Sequence, residues 1–227
     1  MQRSGGHRTR RPDPPVSARA EGAGTAGDEA LLAALRGGDE EAFIRLVDGY
    51  HASMLRVASA YVPSTAVAEE CVQEAWLGVL QQLDRFEGRS SLKTWIFRIL
   101  VNIAKTRGAR ERRSVPFSSI EEAQAPAPGM RFTPSGHWLV PPASWEDIPE
   151  QRLASAETMA EIGRAIDALP PSQRAVLTLR DVEGWTAAAV GELLGVTDAN
   201  QRVLLHRART KVRASLEAYL GRGGARR

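Results

Sequence analysis

"TAAAVGELLGVTDANQRVLLHRARTKVR", Thr186 to Arg213, contains two helical patterns separated by a glycine and a threonine. Thr186 stands where a hydroxyl caps a helix, Val190, Leu193 and Leu194 supply its apolar side, and Gly195 stops it. Thr197 then caps a second helix. At about 100° per residue, Leu204, Leu205, Ala208, Val212 and Leu216 of that helix fall on one side and pack inward. The opposite side carries Ala199, Asn200, Arg202, Val203, His206, Arg207 and Thr210. A merely solvated face favours Glu and Lys and rarely centres on valine. This one can donate to acceptors, accept from amines and cover a methyl group, which suits base edges in a major groove with arginines left for phosphates. A helix, a tight turn at glycine and a second helix with a polar outer face make a helix-turn-helix. The plainer alternatives are a solvated basic helix and an αα-hairpin inside another bundle.

Working outward, "LPPSQRAVLTLRDVEGW", Leu169 to Trp185, supplies a proline-started helix to pack behind the pair. Far upstream, helical periodicity runs through Asp28 to Val62, is interrupted at Pro63, resumes over Val67 to Phe86, breaks at Gly88 and continues from Ser91 to Arg113. Nothing alternates with period two for long enough to make a strand. The expected fold is all-α: two small helical domains joined by a long Pro-rich linker, the C-terminal one a helix-turn-helix. The expected boundaries are a disordered basic N-terminal arm at 1–27, a domain of about four helices at 28–113, an acidic Pro-rich linker at 114–150, a second domain at 151–220 and a basic tail at 221–227.

Thirty basic against twenty-seven acidic residues give a net charge of only +3, so distribution carries the information. Basic residues concentrate in the first nineteen positions, at Lys105 to Arg113 and from Arg202 onward, whereas the linker holds one arginine against five carboxylates. One cysteine excludes an internal disulfide and a multi-cysteine metal site, and four scattered histidines have no metal spacing. No apolar run approaches membrane-spanning length and no signal-peptide core is visible, so the expectation is a cytoplasmic chain without membrane insertion. With no nucleophile–base set in reach, the chain is expected to have no catalysis of its own, no cofactor and no small-molecule substrate.

The first domain has two informative surfaces. In "EECVQEAWLGVL", Glu69 to Leu80, the pattern sends Val72, Trp76, Val79 and Leu80 inward and Cys71 toward the core. Glu70, Gln73, Glu74 and Leu77 fall outside, either as an ordinary solvated face or as a surface for docking on a basic protein. On Ser91 to Arg113, Ile96, Ile99 and Ile103 go to the core, which leaves Thr94, Arg98, Asn102 and Lys105 in a line near Phe86 and Trp95. Basic groups, an amide and aromatics together can hold a phosphate backbone while bases stack, although Trp95 also suits the core.

Taken together these motifs resemble the sigma factors of bacterial RNA polymerase, in the small two-domain extracytoplasmic-function (ECF) class of the sigma-70 family. "AEECVQEAWLGVL" is similar to the family's polymerase-docking helix, "FEGRSSLKTWIFRILVNIAKTRGARERR" to its minus-ten segment, and Leu169 to Arg213 to its minus-thirty-five reader. The resemblance implies that residues 28–113 are sigma region 2 and 151–220 sigma region 4. It also implies that Glu70, Gln73, Glu74 and Leu77 bind polymerase, and that Arg98, Asn102 and Lys105 meet the non-template strand of the minus-ten element. Asn200, Arg202, Val203, His206, Arg207 and Thr210 would then read the minus-thirty-five element. The implied partners are core RNA polymerase, promoter DNA and an anti-sigma factor, and the implied role is promoter-specific initiation, in a stress or envelope-response regulon.

The chain departs from the pattern where many members carry Gly-Thr-Val-Lys-Ser-Arg. Here Ala199-Asn200-Gln201-Arg202-Val203-Leu204 stands instead, so a promoter sequence does not carry over. The linker is longer than the family's minimum, and its charge admits two readings: a stiff tether kept off DNA, or an occupant of the polymerase's RNA path anchored by Trp138, Leu139, Val140 and Trp145. The competing function is a stand-alone helix-turn-helix regulator, which would ordinarily dimerise and would leave the acidic stripe unexplained.

Overall fold

A computed structural model of the chain describes residues 26–113 and 155–224. The arm as far as residue 25, the whole expected linker and the last three residues lie outside the described residues, and so do the readings made of them. Among the described residues there are eight α-helices and no strand: α1 (Ala26–Arg36), α2 (Glu40–Ser59), α3 (Thr65–Gln82), α4 (Leu92–Arg113), α5 (Ala156–Asp167), α6 (Pro171–Leu177), α7 (Ala187–Leu194) and α8 (Asp198–Gly224).

The helix ends follow from capping chemistry. Asp39 accepts the Ala42 N–H at 2.9 Å to start α2, and Ser64 accepts that of Val67 at 3.3 Å to start α3. Ser91 and Ser155 do the same for α4 and α5. Each such cap contributes about 1 kcal/mol. Pro170 and Pro171 open α6, which ends in one π-helical turn, Thr178 to Val182, before Gly184 reverses the chain with φ +71°.

Helices α2, α3 and α4 enclose Met54, Val57, Val72, Val79, Ile96, Phe97 and Leu100, all fully buried, with Cys71 among them. Gly108 is required on α4, because a Cβ there would lie 2.1 Å from the Tyr61 carbonyl oxygen. The apolar cluster does not stop at this unit. Ala175, Val176, Leu179, Trp185, Val190 and Leu193 from the second half of the chain continue it, while α5 and α6 pack on α8 around Leu169, Leu177 and Ala208.

Three expectations need correction. Leu80 is 50% exposed rather than inward, because α3 turns that residue away from both α2 and α4. Thr94 is buried and belongs to the N-terminal cap of α4, its hydroxyl 2.9 Å from that of Ser91, so it leaves the exposed line. The helical ends also shift: α1 begins at Ala26 and α8 runs on to Gly224, past the point where the basic tail was expected to begin.

Candidate functional site

On α3, Glu70, Gln73, Glu74 and Leu77 are all exposed and share one face, and the helix adds Leu80 as a second exposed leucine. Sequence reasoning missed the residue that organises them. Arg107 reaches across from α4 with its guanidinium nitrogens 3.0 Å from Glu70 and 3.4 Å from Glu74. The hydrogen bond to Glu74 is the main cause holding the Arg107 pKa above the usual arginine range. Gln73 and the two leucines remain outside this bridge, so the face combines a fixed carboxylate pair with apolar surface.

On α4, Arg98, Asn102 and Lys105 again share one face, but it is partly covered. Arg98 forms an ion pair with Glu192 of α7 at 2.9 Å, and Lys105 donates to the Leu194 carbonyl at the end of α7 at 3.4 Å. Lys105 also lies 5.9 Å from the centre of the Tyr61 ring. Asn102 stays exposed, its side chain free to face solvent. Phe86 and Trp95 touch with their rings tilted by 47° and centres 5.0 Å apart near the start of α4, which gives a half-buried aromatic pair beside the line.

In the helix-turn-helix, Thr186 caps α7 at 3.2 Å, Gly195 takes the left-handed conformation with φ +68°, and the Thr197 hydroxyl accepts the Asn200 N–H at 3.3 Å. This tight turn sets the outward face of α8. Asn200, Arg202, Val203 and Arg207 are exposed, Val203 to 46%, while His206 and Thr210 are half-buried at the same face. The Thr210 hydroxyl donates back to the His206 carbonyl at 2.9 Å. Burial first, and the nearby Arg209 guanidinium second, push the His206 pKa below its ordinary value. Arg209 is itself held off this face by a two-pronged pair with Asp181 at 2.8 and 2.6 Å. Gln201, between the outward residues, is buried at 2% exposure and belongs to the packing of the turn.

How the two halves meet is not visible in any local pattern of the chain. Glu183 has a side chain only 5% exposed and pairs with Arg56 at 2.5 Å, while the Ser53 hydroxyl donates to its other oxygen. Trp185 meets Phe97 edge to face with ring centres 5.0 Å apart, the Lys93 ammonium lies 4.6 Å from the centre of the Trp185 ring, and Arg174 donates to the Ser59 carbonyl at 3.0 Å. These partners stand 88 to 130 residues apart in sequence, out of reach of any periodicity argument.

Among the described residues there is no group of three or more His, Cys, Asp and Glu side chains placed to hold a metal, and no helix long and apolar enough to cross a membrane. Residues 46–114 match the family described as Sigma-70 region 2, and residues 159–212 match Sigma-70, region 4. The ECF RNA polymerase sigma-E factor of Escherichia coli K12 is 29% identical over 86% of this chain and 97% of its own length. The RNA polymerase sigma-H factor of Pseudomonas aeruginosa is 28% identical over 85% of this chain and 95% of its own. Among solved structures, CnrH in complex with the cytosolic domain of CnrY matches with a TM-score of 0.53 at 21% identity, over 84% of this chain and 97% of that one. The sigma factor RpoE of Bartonella quintana, bound to the anti-sigma factor NepR, also reaches 0.53 at 19% identity, over 77% and 96%. With a region 2 match on the helices that carry the acidic stripe and a region 4 match on the helix-turn-helix, in that order along the chain, the protein belongs to the sigma-70 family, as a sigma factor of the ECF class.

Proposed function

We propose that this sigma factor acts as a two-handed adaptor without catalysis of its own, working in the cytoplasm and holding core RNA polymerase to promoter DNA through three surfaces. Residues 28–113 form the region 2 unit. Its Glu70, Gln73, Glu74 and Leu77 dock on a basic polymerase surface, with Arg107 fixing the carboxylates beforehand so that little side-chain entropy is lost on binding. Its Arg98, Asn102 and Lys105 hold the non-template strand of the minus-ten element beside the Phe86–Trp95 pair. Capturing an unstacked base there offsets part of the cost of opening the duplex.

Residues 151–220 form the region 4 unit. Asn200, Arg202, Val203, His206, Arg207 and Thr210 meet the minus-thirty-five element, with Val203 covering a thymine methyl or excluding a wrong base and the arginines dividing between base edges and phosphates. Neither unit need bind DNA tightly alone, because polymerase supplies the effective concentration for both. An anti-sigma factor fits as a further partner, given that the sigma factor RpoE above is seen in complex with the anti-sigma factor NepR.

The observation that carries this reading is the coexistence on one chain of the exposed Glu70–Gln73–Glu74–Leu77 face and the Asn200–Arg207 reading face. The test is reconstitution: core polymerase with this chain should start transcripts at a defined subset of promoters in a genomic library. Binding to the same promoters by the chain alone, with no polymerase dependence, would favour the stand-alone regulator instead.

A further inference from the structure

Resting on the adaptor reading, we propose that Arg36 and Asp28 of α1 are positioning residues for minus-ten recognition: they grip the two ends of the connection between α3 and α4 and so set how Phe86 is presented to an unstacked base. Neither residue lies in the segment 46–114 that matches region 2. Both act through backbone groups of the connection rather than by touching the strand.

Helix α3 ends at Gln82, a single 3₁₀ turn covers Leu83–Arg85, and the chain then runs from extended Phe86 through Gly88, at φ +71°, to the Ser91 cap of α4. The last carbonyls of a helix have no donor within it, so its end accepts a cation. Arg36 supplies that cation from 47 to 50 residues upstream. Its Nη2 lies 2.7 Å from the Phe86 carbonyl oxygen, 3.2 Å from that of Leu83 and 3.4 Å from that of Asp84. One nitrogen carries two N–H groups, so the short bond to Phe86 is the firm one and the other two carbonyls share the second hydrogen. At the far end, Asp28 accepts the N–H of Leu92, the first residue of α4, at 3.4 Å.

The grip is firm because α1 is itself anchored. Leu35 is buried, and Leu31 and Leu32 pack against the same core. Gly37 and Gly38, the latter at φ +78°, end α1 directly after Arg36 and lead into the Asp39 cap of α2, which fixes where the guanidinium starts from. Within the connection the bonds are local ones. The Phe86 N–H donates to the Leu83 carbonyl at 3.2 Å, and Glu87 pairs with Arg89 at 3.2 Å where both are well exposed and weakly held. The Phe86 carbonyl is therefore the point through which α1 sets the angle of the ring against Trp95. A base-capturing surface discriminates only while its supporting shell holds it in place, and a connection that drifts accepts several bases alike.

The experiment reads the connection and the promoter separately, with the full chain throughout. In the free chain, hydrogen exchange followed by mass spectrometry should show residues 84–92 exchanging about tenfold faster in Arg36→Ala than in the wild type, because a lost charge-assisted bond shifts the local opening equilibrium. Asp28→Ala should loosen the α4 end by a smaller factor. Val57→Ala, at a fully buried position on α2, lowers overall stability without removing either grip and should leave exchange in the connection unchanged relative to α3 and α4. Assembled with core polymerase and given promoters randomised across the minus-ten element, Arg36→Ala should lose about tenfold in selectivity at one base position. Its co-purification with polymerase and its minus-thirty-five preference should match the wild type. Unchanged exchange across 84–92 would overturn the brace, and a loosened connection with wild-type selectivity would overturn its part in reading. Equal weakening on every sequence would make Arg36 a direct phosphate ligand instead, and an equal loss of selectivity in Val57→Ala would reduce the effect to stability. A wild type that gives polymerase no promoter choice would fail the adaptor reading, while the exchange measurement, made without polymerase, still decides the brace.

Discussion

Helices α4 and α8 both present basic residues on an outward face, yet the chain treats the two faces differently. On α4, Arg98 and Lys105 already have acceptors supplied by α7. On α8, Asn200, Arg202, Val203 and Arg207 face outward, and the neighbouring Arg209 is turned aside by Asp181. The acidic face of α3 stands between these extremes, its carboxylates tied to Arg107 but its amide and leucines exposed. The basic face of α4 is thus partly covered by the chain itself, whereas that of α8 stays open.

The comparison depends on both halves sharing one apolar cluster, and the largest effect comes from cutting it. Phe97 is fully buried, packs on Tyr50 within region 2 and on Trp185 from the second half. Phe97→Ala should destabilise the chain by about 3–5 kcal/mol. Chemical denaturation would read this, and the second half should also lose protection from hydrogen exchange against α4. Protection lost in region 2 alone would mean that the halves do not share a core.

Next in size is the docking face. Replacing both Gln73 and Glu74 by lysine puts two cations where a basic partner surface is expected and one of them beside Arg107. Assembly with core polymerase should weaken by about 100-fold while helicity is kept, since only exposed positions change. Unchanged co-purification would remove α3 as the docking face and leave its stripe as solvated surface.

The reading face of α8 predicts a smaller, position-specific change. Val203→Ser removes a methyl-covering group and adds a hydroxyl, so preference at the contacted base pair should shift by about 1–3 kcal/mol without loss of polymerase binding. A randomised-promoter selection reads this directly. An unaltered preference would move the specificity to Arg202 and Arg207.

Much of this is legible in the sequence, for reasons that differ by residue. Helix boundaries at Thr186, Gly195 and Thr197 follow from capping, which acts over three or four residues and leaves its signature locally. The outward positions on α3 and α8 follow from the helical period. Leu80 broke that rule because it stands three residues after Leu77 and seven after Gln73, on their exposed face, while Val79 and Leu83 carry the buried stripe to the helix end. Thr94 broke it because its hydroxyl serves the backbone rather than solvent. Arg107, Glu183 and Trp185 were invisible for another reason. Charged residues and tryptophans are compatible with either surface or interface, and only tertiary contact across a long stretch of chain decides between them.

The smallest expected effect tests the reading face by proton uptake. His206 is half-buried beside Arg209, and both circumstances disfavour its charged form, burial more than the neighbour. A histidine with its folded pKa lowered below the ordinary 6.5 contributes stability that is fully present above that value and is lost as pH falls through the folded pKa, because the unfolded chain binds the proton more readily. The nuclear magnetic resonance titration of the His206 ring in the free chain should therefore have its midpoint below 6.5, and His206→Gln should flatten the loss of stability on acidification. DNA acts in the opposite sense, since phosphates beside the ring favour the imidazolium. If α8 lies in the major groove as its exposed face suggests, duplex binding raises the midpoint and is accompanied by proton uptake. A midpoint that does not move when duplex is added would place His206 outside the interface and confine reading to the N-terminal turns of α8, at Asn200, Arg202 and Val203.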